Sequence, residues 1–466
     1  MKIIIFSINP IFPDVITGGA SKHLFHIARH LGRRRHAVEI YCAQVDTSQE
    51  VFSWAENVRV FPVLPFDLPF PQPYAISGPD LALITERLRH GLNDADRFYI
   101  HDGEWLIPDI YADLPTVSSF RDNIYPESVL GSFVTKADEV ICVSPYSASI
   151  IEQTAGRFFP DLKNRIHQVN NGIDFKQFFP SNPETLAQDL GLDPERDVIL
   201  LHPHRPEPGK GLSETVRLAE SLVHKQGLSN IKILVPEWID GMVSSGEKTY
   251  HNQMLQLMKE LGVNDHFQFI PWLPNERMPE LYSLGMVTLC LGNIVEAFGN
   301  VAYESLACGT PSIVARVGVH RTLMPDDLIA KVHYGDTNSA VDHVLQIMEN
   351  GSQVCQETLR FMHDHMDFEE QINSYVRIIE NCEKRKNLAF SVSKSGEDQS
   401  YQLAPWCYFD GNRIFHDFRG TFEPAPDLVR LFEKRSAINR TLAFRSGISE
   451  RKWKAWLDRT FIVAEP

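Results

Sequence analysis

Short runs of β-branched and aromatic residues alternate along this chain with longer stretches whose apolar positions recur at helical spacing. KIIIF, AVEIYC, RFYIH, TVSSF and EVICV form a first set of runs, with SKHLFHIARHL between the first two. Such alternation predicts parallel strands joined by helical crossovers, since a parallel connection needs an element long enough to return to the starting edge. A second series begins near Asp197: VILLH, SETVRLAESLVHK, IKILV, FQFIP, MPELYSLG, MVTLCL, NVAYESLAC and SIVAR. The pattern therefore predicts an α/β protein of two doubly wound domains in tandem. Prolines and polar residues between Phe179 and Asp197 mark the boundary, giving domains at 1–180 and 181–385. Strand ends and helix N-termini from both domains are expected to face one interdomain cleft, the usual ligand site of this architecture.

The rhythm stops after Ile379. NCEKRKNLAFSVSKSGEDQS reads as a charged linker, assigned to 386–400, and 401–466 as a small α+β unit. That unit offers a hairpin around Asp410-Gly411-Asn412 between PWCYF and RIFHDF, then helical patterns in APDLVRLFEKR, INRTLAFRS and SERKWKAWLDR, and a final strand in FIVAEP. Two β segments, three helices and a last strand resemble a winged-helix unit.

Composition narrows the functional classes. A formal charge of -15 disfavours broad nucleic-acid binding, which rests on Lys and Arg neutralising phosphates. No stretch approaches the ~20 apolar residues of a membrane span. MKIIIFSINP reads as a first strand, because Asn9, Pro10 and Pro13 interrupt what a signal peptide would continue. The 7 cysteines include no CxxC pair or Cys/His cluster, which predicts buried thiols in a reducing, cytoplasmic setting and no structural metal. Arg33-Arg34-Arg35 reads as a helix C-terminus, where cations suit the dipole, or as a weak peripheral contact with anionic lipid.

The candidate chemistry centres on Glu296-Ala297-Phe298-Gly299-Asn300 and, in the same segment, Glu304. If Asn300 to Ala307 is helical, Glu296 precedes its N-terminus and Glu304 sits two turns on, so the two carboxylates can grip both ends of one nucleotide sugar. Gly299 permits close backbone approach, and free N–H groups at a helix start favour phosphate. The alternative is a helix with one Glu favoured by its dipole and a second on a solvated face. Arg205 and Lys210, on the Pro- and Gly-rich turn after VILLH, are the candidate diphosphate cations, although the P-loop spacing is absent. Gly18 and Gly19 follow the first strand and permit a tight turn beside a phosphate or acceptor. His101 ends RFYIH, where it can bond the transferring sugar, and Asp102 can orient it or meet the acceptor. Phe269 to Trp272 is the candidate region for base recognition. Asp94-Ala95-Asp96 has the DxD form of a metal-binding pair but precedes its strand; it is read as a loop, and no metal or other cofactor is expected.

Together, TGGASKHLFHIARHL, VICVSPYSASIIEQ with VNNGIDFKQFFP, HRPEPGKGL and EAFGNVAYESLACGTPSIVARVG resemble, in order, the retaining GT-B glycosyltransferases of family 4, over roughly residues 1 to 385. The resemblance implies a GT-B fold of two Rossmann-like domains and transfer of a sugar from a nucleotide-diphosphate sugar to an acceptor hydroxyl by front-face substitution. It places Glu296 on the donor sugar, with Ala297, Phe298, Gly299 and Asn300 beside it and the Phe298 and Gly299 N–H groups presented to the donor. It likewise places Glu304 on the ribose, Arg205 and Lys210 on the diphosphate, and Gly18-Gly19 over the donor. The helix around Phe368 to Asn381 would cross back onto the first domain. A UDP-sugar comes ahead of GDP- or ADP-sugars as donor; a saccharide, natural product or, through the C-terminal unit, a peptide or protein is the acceptor. Departures from the family pattern are Pro236-Glu237-Trp238, Leu291-Gly292-Asn293 before Glu296, and Val317-Gly318-Val319-His320-Arg321, which lacks the double glycine and following Glu. Alternative readings are a phosphorylase or epimerase on the same scaffold, or a non-catalytic nucleotide- or glycan-binding protein.

Overall fold

The computed structural model describes residues 1–13, 18–46, 49–66, 75–237, 245–391 and 399–465. Thr17 of the glycine turn, Trp238 and residues 392–398 of the expected linker lie outside these residues.

The residues group into two compact units, Met1–Asn170 with Glu370–His416 and Thr421–Pro466, and Asn171–Glu369 with Asp417–Gly420. The first holds an eight-stranded sheet of β1 (Lys2–Ser7), β2 (Ala37–Ala43), β3 (Phe52–Ala55), β4 (Val58–Leu64), β5 (Arg97–Ile100), β6 (Thr116–Phe120), β7 (Glu139–Cys142) and β8 (Ile166–Gln168). Its order is β3-β4-β2-β1-β5-β6-β7-β8, parallel except for the β3–β4 edge pair. The central strands are apolar throughout because helices cover both faces; Ile3, Ile4 and Ile5 are wholly buried. Phe6, Phe66 and Trp105 fill one side, with the Phe6 and Trp105 rings 5.7 Å apart.

Every strand run named in the first half is present. The Asp94-Ala95-Asp96 carboxylates tie down the start of β1: Lys2 Nζ donates to Asp94 and the Lys2 N–H to Asp96, each at 2.7 Å. That end of a parallel sheet is opposite the one where ligands bind. The helix Phe368–Asn381 joins this unit from Glu370 onward, and its Tyr375 hydroxyl meets Ser119 Oγ of β6 at 3.3 Å. Arg33 ends the helix Gly18–Arg33, and Arg34 pairs with Glu380 at 2.8 Å.

The second unit contains β9 (Val198–Leu201), β10 (Ile231–Pro236), β11 (Phe267–Ile270), β12 (Val287–Cys290), β13 (Ser312–Ala315) and β14 (Ala330–Val332). Their order is β11-β10-β9-β12-β13-β14, all parallel. In both sheets the strand order reverses beside the first strand, between β1 and β5 and between β9 and β12. Each reversal opens a crevice at the carboxyl ends of its own sheet; Gly18 and Gly19 begin the helix that follows β1, and the turn through Gly209 and Gly211 follows β9.

The C-terminal segment is richer in β structure than its pattern suggests. The hairpin at Gly411 forms between β16 (Cys407–Asp410) and β17 (Arg413–His416), but β18 (Thr421–Pro424) adds a third strand to it. A second antiparallel sheet combines β15 (Ser400–Leu403), β19 (Ala437–Asn439) and β20 (Ile462–Ala464) in the order β19-β15-β20. The three expected helices are present as Pro426–Phe432, Arg440–Arg445 and Glu450–Asp458.

Candidate active site

The second unit assembles its site from two backbone turns pressed against each other. After β9 the chain turns through Gly209 (φ 83°) and Gly211 (φ 92°) into the helix Leu212–Glu220. After β12 it passes through Gly292, where an added Cβ would overlap the Gly209 carbonyl. The Asn293 and Ile294 N–H groups both donate to that carbonyl, at 2.9 and 3.0 Å. Only residues without side chains allow backbones this close. Within Leu291-Gly292-Asn293 it is Gly292 that this contact requires.

It also brings Lys210 to Glu296, Nζ to Oε1 2.5 Å, with about a fifth of the lysine side chain and a quarter of the glutamate exposed. Gly299 caps the helix Asn300–Ala307 in the left-handed region, at φ 76°. The helix occupies the residues expected, so Glu296 stands just ahead of N–H groups that lack intrahelical acceptors. Ala297 and Phe298 are buried, the Phe298 ring lying against Tyr303 at 5.2 Å. Asn300 Oδ1 accepts from Asn171 at 3.4 Å. On the helix's second turn, Glu304 Oε2 accepts from the buried Tyr282 hydroxyl at 2.9 Å.

Arg205 is placed differently from Lys210. It pairs with Glu207 at 2.9 Å and is 42% exposed, so this is a surface ion pair, of little weight for stability. Phe269 is partly buried in the sheet's core and meets the His251 ring, whereas Trp272 is half exposed.

Several contributors to this site were not singled out from the sequence as site residues. His320, on the turn Gly318–Arg321, packs so tightly that a Cβ on Gly299 would lie 2.6 Å from its Nε2. Its Nδ1 meets the Tyr303 hydroxyl at 3.1 Å, and burial, opposed by Glu296, pushes its pKa down to about 4. A neutral imidazole thus supports the Gly299 corner. The signal in the sequence was the departure at Val317 to Arg321. Glu207 and Tyr282 carried no signal, because only folding sets them against Arg205 and Glu304.

In the first unit the helix Gly18–Arg33 starts at the carboxyl end of β1, and a Cβ on Gly19 would meet nothing within 4 Å. His101 is wholly buried. Its Nε2–H donates to the Ala20 carbonyl at 3.0 Å, which leaves Nδ1 to accept from the Tyr99 hydroxyl at 2.9 Å. Burial lowers its pKa to about 4, against the opposing pull of Asp102. The ring therefore supports the first turn of the glycine helix and, in this arrangement, offers no exposed atom to a sugar. Asp102 Oδ2 accepts from Ser7 Oγ at 2.7 Å and Asn9 Nδ2 at 3.2 Å. Among the described residues no cluster of three or more His, Cys, Asp or Glu side chains has metal-binding geometry, and no helix is long and apolar enough to cross a membrane.

Known proteins share this pairing of units. Residues 17–177 match the Glycosyltransferase Family 4 model and residues 185–360 the model for Glycosyl transferases group 1. The chain belongs to this glycosyltransferase family. It is 28% identical over 238 residues to D-inositol 3-phosphate glycosyltransferase 2 of Catenulispora acidiphila, 49% of this chain and 53% of that one. It is 35% identical over 164 residues to a D-inositol 3-phosphate glycosyltransferase of Acidothermus cellulolyticus, 35% of this chain and 36% of the relative. The matches thus span about half, or less, of the curated relatives' length. The fold is that of sucrose-phosphate synthase from Thermosynechococcus elongatus, with a TM-score of 0.65 at 16% identity, covering 81% of this chain and 98% of the other. Anabaena HepE in complex with UDP and glucose gives a TM-score of 0.63 at 18% identity, covering 82% and 99%. These neighbours are GT-B glycosyltransferases, and the family member described here has the GT-B fold.

Proposed function

We propose that this glycosyltransferase moves a sugar, with retention of configuration, from a UDP-sugar to a hydroxyl of a polyol or saccharide acceptor. The observation that carries the reading is the Lys210–Glu296 pair standing before the Gly299-capped helix at the reversal of strand order. Without donor, the ammonium and carboxylate neutralise each other. When a diphosphate enters, Lys210 turns to the stronger anion and Glu296 is released to accept hydrogen bonds from sugar hydroxyls.

The helix N–H groups add a fixed positive end. As the glycosidic bond breaks, its electron pair passes to the diphosphate, and a fixed cation and dipole stabilise that charge more than they stabilise the ground state. Arg205 supplies a second cation from its surface loop. Glu304, held by Tyr282, takes the ribose hydroxyls, and Trp272 provides an apolar face for the base. The acceptor oxygen bonds to the anomeric carbon on the face the phosphate leaves, and the phosphate takes the acceptor's proton. No protein nucleophile is needed. In the first unit, His101 steadies the first turn of the helix that begins at Gly18-Gly19, and Asp102 stands beside it at the end of the sheet where ligands bind.

UDP is supported by the neighbours solved with UDP and UDP-glucose, and a sugar-like acceptor by relatives named for inositol 3-phosphate. Nothing in those names supports a peptide acceptor. The test is a thermal-shift panel of UDP, GDP and ADP with their sugars, followed by UDP release with candidate polyol and sugar acceptors. A ligand that binds only the native state raises the apparent melting temperature. A UDP shift that shrinks in Glu304→Ala supports the donor site; no shift with any nucleotide overturns it. Formation of a sugar 1-phosphate from inorganic phosphate would instead mark a phosphorylase.

A further inference from the structure

Two features left unused by this reading meet at one place. The turn Gly318–Arg321 departs from the family pattern, and Asp417–Gly420, beyond both family models, groups with the second unit. Arg321 Nη1 and Nη2 donate to Asp417 Oδ1 and Oδ2 at 2.8 and 3.0 Å. The arginine side chain is 10% exposed and the aspartate not at all. A buried fork-to-fork pair fixes orientation as well as charge, and the guanidinium left behind by its loss has no water to replace the carboxylate. Three residues on, Gly420 sits at φ 61°, and a Cβ there would lie 2.6 Å from Asn293 Nδ2.

Each of these contacts leads to the donor residues. Asn293 donates its N–H to Gly209, next to Lys210. The turn that carries Arg321 places Gly318 so that a Cβ would be 3.2 Å from the Glu296 carbonyl oxygen, and His320 against Gly299. Lys331 Nζ holds the same turn through the Arg321 and Met324 carbonyls, at 3.0 and 2.6 Å.

We propose that Asp417 and Gly420 are positioning residues of the donor site: through Arg321 and Asn293 they brace the two turns that set Glu296 against Lys210, and so set the affinity for the nucleotide sugar. The inference rests on the donor-site reading above. A segment outside the family models thereby supports the turn at 317–321.

The test compares the full-length wild type with Asp417→Asn and Gly420→Ala, by calorimetric titration of UDP and by steady-state kinetics with the donor varied. The UDP Kd and the donor KM are expected to rise about five- to twentyfold in each variant, with the acceptor KM changed less than about twofold. In an Asn293→Ala background, Gly420→Ala is expected to raise the Kd less than about threefold, since the group its methyl meets is gone. A lowered melting temperature with UDP Kd and donor KM unchanged would make the pair a stabilising contact only and overturn the proposal. If Asp417→Asn fails to fold, the Gly420 and Asn293 variants decide the question on the same readouts. Absence of UDP binding by the wild type removes the donor reading itself, whatever the variants do.

Discussion

The two doubly wound units share a strand order around their first strand but fill the reversal of that order differently. Beside β9 and β12 stand a lysine and a glutamate, both partly exposed and 2.5 Å apart. Beside β1 and β5 stands a buried histidine whose two nitrogens are spent on Tyr99 and the Ala20 carbonyl. Topology fixes where a ligand can sit; the ionisation and solvent access of the side chains there decide whether the crevice grips a charged group. An accessible ion pair can exchange one partner for a diphosphate. The buried imidazole, bonded at both nitrogens, holds a turn in shape.

The comparison breaks most sharply at Glu296. Glu296→Gln and Lys210→Ala are each expected to lower kcat/KM for sugar transfer by 10²-fold or more, the scale of losing a charged group aimed at the transition state, measured by UDP release. His101→Phe is expected to behave oppositely. It strands the Tyr99 hydroxyl and the Ala20 carbonyl and costs about 1–3 kcal/mol of stability in denaturant unfolding, with the UDP Kd within about threefold of wild type. A UDP Kd raised by more than about tenfold would overturn the purely structural role given to His101.

Tyr282→Phe sharpens the contrast within the donor unit. It removes the donor to Glu304 Oε2 at little change of volume, and the UDP Kd is expected to rise about five- to tenfold, the scale of one net hydrogen bond. The smallest effect concerns pH. His101 and His320 have pKa values lowered to about 4 by burial, below the unfolded value of about 6.5. The unfolded chain therefore binds more protons than the native one between these limits. The stabilisation is fully present above pH ~6.5 and is lost as pH falls toward 4. Urea unfolding at pH 7 and pH 5 is expected to show the decline, and His320→Gln to flatten part of it.

Much of this was legible from residue pattern because parallel strands buried on both faces must be continuously apolar: KIIIF, VILLH and SIVAR could be little else. Gly299 reads as permitting close backbone approach, and the helix Asn300–Ala307 follows it as expected, with Gly299 capping it in the left-handed region. The C-terminal segment was less legible. Thr421–Pro424 and Ala437–Asn439 are short strands with mixed burial, stabilised by antiparallel partners distant in sequence rather than by their own pattern. For His101 the pattern gave the strand end but not the partners, because the position of a histidine there says nothing of the carbonyl across from it.

Local rules, which act through neighbours along the chain, thus determined the fold class, the two glycine turns, the helix behind Glu296 and the identity of the charged residues. Tertiary structure alone decided which charges meet. Lys210 reached Glu296 because Gly292 lets one turn lie on another, Tyr282 reached Glu304, and Asp417 reached Arg321 across 96 positions of sequence. Hydrogen bonds and ion pairs of this kind act over a few ångströms in space, and sequence separation does not encode that distance.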